Sequence, residues 1–203
     1  MSILDTTIVN VALNRLAIEF DAGFDRVQWI VTAYMLAMAA VIPLSGWFAV
    51  RFGAKRVFIA SAVIFTLASM MCALAWSVES LVAFRVLQGA GGGLLMPVGQ
   101  MMLAQAAGPQ RIGRVMSIVA VPMLMAPVFG PVLGGFLVDV AGWEWIFFVN
   151  LPVGVLAVVL AIRLLGADHG GTPWRFDRLG VVLMSIGGIA RGVIDVLMVL
   201  FAE

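Results

Sequence analysis

Five mainly apolar stretches, residues 27–50, 57–76, 80–106, 113–140 and 145–165, follow one another with only short polar breaks between them. Each meets the length of about 20 residues that a helix needs to cross a hydrocarbon layer. Inside such a layer the backbone N–H and C=O groups of a run this long are satisfied only by a helix. The chain is 63% hydrophobic and 11% charged. A soluble domain carries about 25% charged residues, so the bilayer is the solvent for the chain as a whole. The expected fold class is an all-α membrane protein.

Two further stretches are less regular. Residues 1–18 are short and carry Asp5, Asn10, Asn14 and Arg15, and read as the outer part of a helix whose beginning is missing. Residues 179–202 hold Arg191 and Asp195, whose spacing of four lets them pair on one helix face. The expected organisation is a six-helix unit over 1–165 with an incomplete first helix, a cytoplasmic loop over 166–178, and a partial additional helix over 179–203.

Charge orders the spans. Arg51, Lys55, Arg56, Arg111, Arg114, Arg163, Arg175 and Arg178 fall in alternate loops, whereas the intervening loops hold Glu19, Asp21, Asp25, Glu79, Asp139 and Glu144 with only Arg15 and Arg26 as cations. The positive-inside rule then puts the basic side, and the N-terminus, in the cytoplasm. The tryptophans, Trp29, Trp47, Trp76, Trp143, Trp145 and Trp174, lie near span ends, as interfacial anchors do.

Several functions are disfavoured. A net charge of +1 gives no reason to expect nucleic acid as a partner. With Cys72 the sole cysteine and His169 the sole histidine, no usual metal-ligand cluster forms, and no cofactor is expected. There is no GxxxxGK[ST] loop for a nucleotide, so an ion gradient and not ATP is the expected energy source. No nucleophile, base and orienter set can be assembled, so the chain is not read as an enzyme.

One stretch departs from plain apolarity. LVAFRVLQGAGGG, residues 81–93, places Arg85 inside an apolar helix and follows it with glycines. A charge at that depth costs roughly 2.5–3.5 kcal/mol on insertion scales and persists where it faces a bundle interior or a watery cavity. Gly89, Gly92 and Gly93 form a small-residue face that admits a neighbouring backbone. A charge beside such a face points to a moving part of a transporter. There is also a weak internal repeat. SGWFAVRFG, residues 45–53, resembles GGFLVDVAG, residues 134–142, three spans later. Inverted three-helix repeats are nested in some transporters in this way.

Together these residues resemble the N-terminal half of a major facilitator superfamily transporter, in its fourteen-helix drug:proton antiporter branch. The likeness covers roughly residues 4–180 and rests on five motifs in order. LDTTIVNVAL from Leu4 matches the first-helix motif. Residues 46–56 match the loop joining helices two and three. Residues 81–92 match the helix-four arginine motif, GPVLGG from Gly130 matches the helix-five antiporter motif, and WEWIFFVNLPVG from Trp143 resembles the signature opening helix six. The fold implied is a six-helix half built of two inverted three-helix repeats.

The resemblance implies roles. Asp5 would be a protonatable group facing the central cavity, the alternative being a helix-end carboxylate at the membrane interface. Loss of water favours the neutral form of a carboxyl, so such a group exchanges a proton as substrate comes and goes. Arg85 would couple to it, with Asp5 as its candidate partner, or the two would form a purely structural buried pair. Thr6, Asn10 and Asn14 recur every four residues as a polar stripe expected to face inward, and Gln88 is expected to hydrogen-bond substrate or water. Met35, Met38, Met96 and Phe129 are candidate adaptable contacts in the substrate cavity, since Met-rich surfaces suit varied ligands. Gly46, Arg51, Gly53, Lys55 and Arg56 form the candidate gating loop, the basic residues having a second reading as topology determinants. Gly130, Pro131, Gly134 and Gly135 form the antiporter motif, in a helix that Pro122, Pro127 and Pro131 are expected to interrupt.

The chain departs from the family pattern in three places. Asn14 stands where a proline is usual, Val50 where an aspartate is common, and Glu144 where an arginine is usual. The expected function is proton-coupled efflux of amphipathic small molecules across the inner membrane by alternating-access antiport. The expected partners are protons, a small-molecule substrate, lipid, and a second half or a second copy. A non-transporting membrane remnant or interaction partner, and a nutrient uniporter or symporter, remain as alternatives.

Overall fold

In the computed structural model, which describes residues 2–164, the elements in chain order are all helical. They are α1 Ser2–Glu19, α2 Phe24–Val41, a 3₁₀ turn Ile42–Leu44, α3 Ser45–Phe52, α4 Ala54–Ala73, α5 Val78–Ala107, α6 Ile112–Val140, α7 Trp145–Phe148 and α8 Asn150–Leu164. The loop 166–178, with His169 and Trp174, and the stretch 179–203, with Arg191 and Asp195, lie outside the described residues.

Local chemistry explains the breaks. Pro43 has no N–H to give, so α2 tightens into the 3₁₀ turn and re-enters helix at Ser45. The stretch as a whole, Phe24–Phe52, is long and apolar enough to cross as one span. At the head of α5, the Ser77 hydroxyl accepts from the Ser80 N–H at 3.2 Å while the Ser80 hydroxyl accepts from the Ser77 N–H at 3.0 Å. This reciprocal cap satisfies donors that the first turn leaves open. The sixth span is divided at Val149 into α7 and α8. Pro152 falls in the first turn of α8, where its missing N–H is not needed. By contrast α6 runs unbroken through Pro122, Pro127 and Pro131, so the prolines remove single donors without ending the helix.

The weak repeat has a backbone counterpart. Gly53 and Gly142, the last residues of the two matching nonapeptides, have φ of 91° and 103°. Side chains other than glycine rarely adopt that region. Each glycine ends one span and turns the chain into the next.

Glycine also sets the packing. A Cβ at Gly89 would overlap the Tyr34 carbonyl, and one at Gly93 would lie 2.9 Å from the Met38 carbonyl, so α2 rests directly on α5. On the other side of α5, a Cβ at Gly91 would come within 2.8 Å of the Phe65 nitrogen in α4. Gly130 and Gly134 of α6 receive Thr7 and Ile8 of α1, and Gly154 of α8 receives Thr66 of α4. Between lipid-solvated helices, close approach of this kind supplies the dispersion contacts that hold them together.

A buried apolar cluster joins Ile8, Leu16, Ile30, Cys72, Leu81 and Phe147. Trp143 joins it, only 6% exposed, with its ring 5.3 Å from that of Phe20. It is a core residue and not the interfacial anchor expected, whereas Trp29, Trp76 and Trp145 remain exposed. The outer face of α6 presents Ile118, Leu124, Val128, Val132 and Phe136.

Candidate functional site

The described helices converge on one polar junction. Arg85, from α5, is fully buried, and its Nη1 donates to Asp5 Oδ2 of α1 at 2.6 Å and to Gln88 Oε1 at 2.8 Å. Its Nε donates to the Ile30 carbonyl of α2 at 3.2 Å. The guanidinium carbon lies 4.0 Å from the centre of the Tyr34 ring, a cation–π arrangement. The spacing of three between Arg85 and Gln88 puts both on one face of α5.

The other oxygen of Asp5 is satisfied from two sides. Its Oδ1 accepts from Asn150 Nδ2 of α8 at 2.8 Å and from Gln88 Nε2 at 3.1 Å. Asn150 Nδ2 also donates to Ser69 Oγ of α4 at 3.1 Å, and the Ser69 hydroxyl donates to the Phe147 carbonyl of α7 at 3.0 Å. The Cys72 thiol donates to Gln88 Oε1 at 3.5 Å. Six helices, α1, α2, α4, α5, α7 and α8, are thus tied by one connected set of polar bonds. Arg85 Nη2 alone among the junction's nitrogens has no hydrogen-bond partner.

Electrostatics makes each charge of this junction depend on the other. A carboxylate and a guanidinium in contact attract strongly where the dielectric is low. Neutralising one of them leaves the other buried and uncompensated, which is strongly unfavourable. Loss of either charge therefore disturbs the whole junction, not one side chain.

The placement differs from the sequence expectation in several respects. Asp5 is 1% exposed and Arg85 0%, so the pair is enclosed within the helix bundle and does not face an open cavity. Gln88 spends its amide on Asp5 and Arg85, not on substrate or water. Asn10 and Asn14 are exposed, with Thr6 half-buried, so the polar stripe of α1 turns outward from the bundle. Met35 and Phe129 are also exposed, while Met38 packs on Gly93. Of the expected cavity residues, Gln88 therefore bonds the charged pair directly, whereas Asn10, Met35 and Phe129 are exposed. Met96 instead lines a separate groove of about 260 Å³ between α4, α5, α6 and α8, with Phe58, Gly99, Gln100 and Met123.

In the gating loop, Arg51 and Arg56 are exposed and Lys55 Nζ donates to the Ile162 carbonyl of α8 at 3.2 Å. Added Cβ atoms at Gly46 and Gly135 would meet open space, unlike those at Gly130 and Gly134. Pro131 is exposed. Sequence reasoning assigned no role to Asn150, Ser69 or Tyr34. Asn150 carried a signal, since a polar amide within an apolar stretch needs a partner on another helix.

Comparison with known proteins gives a consistent result. Residues 1–200 match the profile of the Major Facilitator Superfamily. The Multidrug resistance protein B homolog of Mycobacterium tuberculosis strain H37Rv is 48% identical over 187 residues, covering 92% of this chain and 35% of that protein. The Multidrug export protein EmrB of Haemophilus influenzae is 37% identical over 188 residues, covering 92% of this chain and 37% of that protein. The chain thus spans little more than a third of the length of these relatives. Among solved structures, the inward-open xylose transporter XylE from E. coli superposes with a TM-score of 0.67 at 16% identity, over 98% of this chain and 54% of that one. That likeness establishes the fold, a six-helix half of the superfamily architecture.

Proposed function

The chain belongs to the Major Facilitator Superfamily, and we propose that it forms the first half of an exporter that exchanges amphipathic small molecules for protons. It is a multi-pass membrane protein; the orientation we infer places its N-terminus in the cytoplasm and the protein in the inner membrane. The observation that carries the reading is the fully buried contact of Arg85 with Asp5 at 2.6 Å. Relatives whose names denote multidrug resistance and export support it.

In this reading Asp5 takes up a proton on one side of the membrane and releases it on the other. Uptake breaks the pairing with Arg85 and shifts the helices that the junction ties together. Because the pair is enclosed, proton and substrate occupy different places, and helix movement couples them. Substrate would lie against the outward stripe of α1 (Thr6, Asn10) and the exposed Met35 and Phe129. Opposite them sits a second six-helix half, supplied by the same polypeptide or by a second copy.

The test is efflux of a fluorescent lipophilic cation such as ethidium from cells that make the protein together with that second half. Efflux is expected to collapse when a protonophore is added, and to be absent from the Arg85→Ala variant. Efflux that persists under the protonophore would overturn the exchange of substrate for protons.

A further inference from the structure

The bonds around Asp5 fit its ionised form alone. Its two oxygens receive three donor groups: Arg85 Nη1, Gln88 Nε2 and Asn150 Nδ2. A carboxyl that has gained a proton is itself a donor and needs an acceptor opposite it. The guanidinium has none to offer. Gln88 is held in its present orientation, because its Oε1 already accepts from Arg85 and Cys72. Turning it would set an NH₂ group against a guanidinium.

Asn150 is under no such restraint. Its amide nitrogen faces Asp5 Oδ1 on one side and Ser69 Oγ on the other. We propose that Asn150 registers the charge on Asp5 by inverting its terminal amide. A proton binds Asp5 Oδ1, the new O–H donates to Asn150 Oδ1, and the Ser69 hydroxyl turns from the Phe147 carbonyl to donate to the same oxygen. The Phe147 carbonyl, at the break between α7 and α8, thereby loses its side-chain partner. The proton's arrival is passed from α1 to the divided sixth span without any charge leaving the junction. Asn150 is a positioning residue, acting through Asp5. The titratable groups acting on Asp5 are Arg85 of α5, Tyr34 of α2 and Cys72 of α4.

This inference rests on Asp5 being the proton-exchanging group. Infrared difference spectra of the purified chain in lipid, taken between acidic and alkaline pH, test both. The expected result is a carboxyl C=O band that disappears in Asp5→Asn, accompanied by an amide C=O band that disappears in Asn150→Leu while the carboxyl band stays. A carboxyl band from Asp5 whose accompanying amide band survives Asn150→Leu would overturn the role of Asn150 and leave the proton site standing. Absence of any Asp5 carboxyl band would overturn both. Should the leucine variant not fold, the chain with Asn10→Gln and Asn14→Gln leaves Asn150 as the sole asparagine. Carbon-13 labelling of asparagine in that chain must shift the amide band, and an unshifted band rejects the proposal.

Discussion

The junction around Asp5 and the flank formed by α6 are held together by opposite means. At the junction, side chains and carbonyls from six helices meet in charged and neutral hydrogen bonds. Along α6, the seat is two glycines, Gly130 and Gly134, on which Thr7 and Ile8 of α1 lie directly. The first attachment depends on both charges being present. The second depends on shape and is indifferent to charge. Both attachments act on α1, at Asp5 and at Thr7, with one residue between them.

The largest test of this contrast removes one charge. Arg85→Ala leaves the Asp5 carboxylate enclosed without a cation, and should destabilise the bundle by about 3–5 kcal/mol. Equilibrium unfolding in mixed micelles measures that. The paired change Asp5→Asn with Arg85→Met should regain most of the stability, because an enclosed ion pair contributes little beyond well-packed neutral groups. A double variant as unstable as the single one would show that shape, not charge, holds the junction.

The next effect is steric. Gly130→Leu puts atoms where Thr7 already stands and should cost about 1–3 kcal/mol in the same assay. Gly135→Ala, five residues on in the same motif and facing open space, should stay within about 0.5 kcal/mol. Equal effects at the two glycines would remove the distinction between seat and surface. Smaller still is Ser69→Ala, which takes one hydroxyl from the junction. Single hydrogen bonds between membrane helices average about 0.6 kcal/mol, and a loss near that size is expected. Smallest is Lys55→Ala in the first turn of α4, where the loss of the contact with the Ile162 carbonyl of α8 should fall below about 0.5 kcal/mol.

The same contrast explains what was legible in the chain. Spans were legible because length and apolarity are local properties, and 57–76 or 113–140 announce themselves without a partner. Arg85 was legible because it is isolated in apolar surroundings, and Asp5 because the first-helix motif resembles that of the family. Gln88 was visible but given the wrong partner, although its spacing of three from Arg85 already placed them side by side. Ser69 was hidden, since a small hydroxyl in a membrane helix satisfies itself on its own backbone as readily as on a neighbour. Met35, Met38 and Phe129 lacked any chemistry that fixes a direction, and their positions follow from packing that only the assembled helices define. The burial of Trp143 is similar: a tryptophan near a span end serves equally as an anchor or as core, and Phe20 decides it here.

The paired turns at Gly53 and Gly142 have one more consequence. SGWFAVRFG and GGFLVDVAG match only weakly, yet both close on a backbone angle that side chains resist. A side chain put at either glycine would strain its fold-back whatever room lies around it.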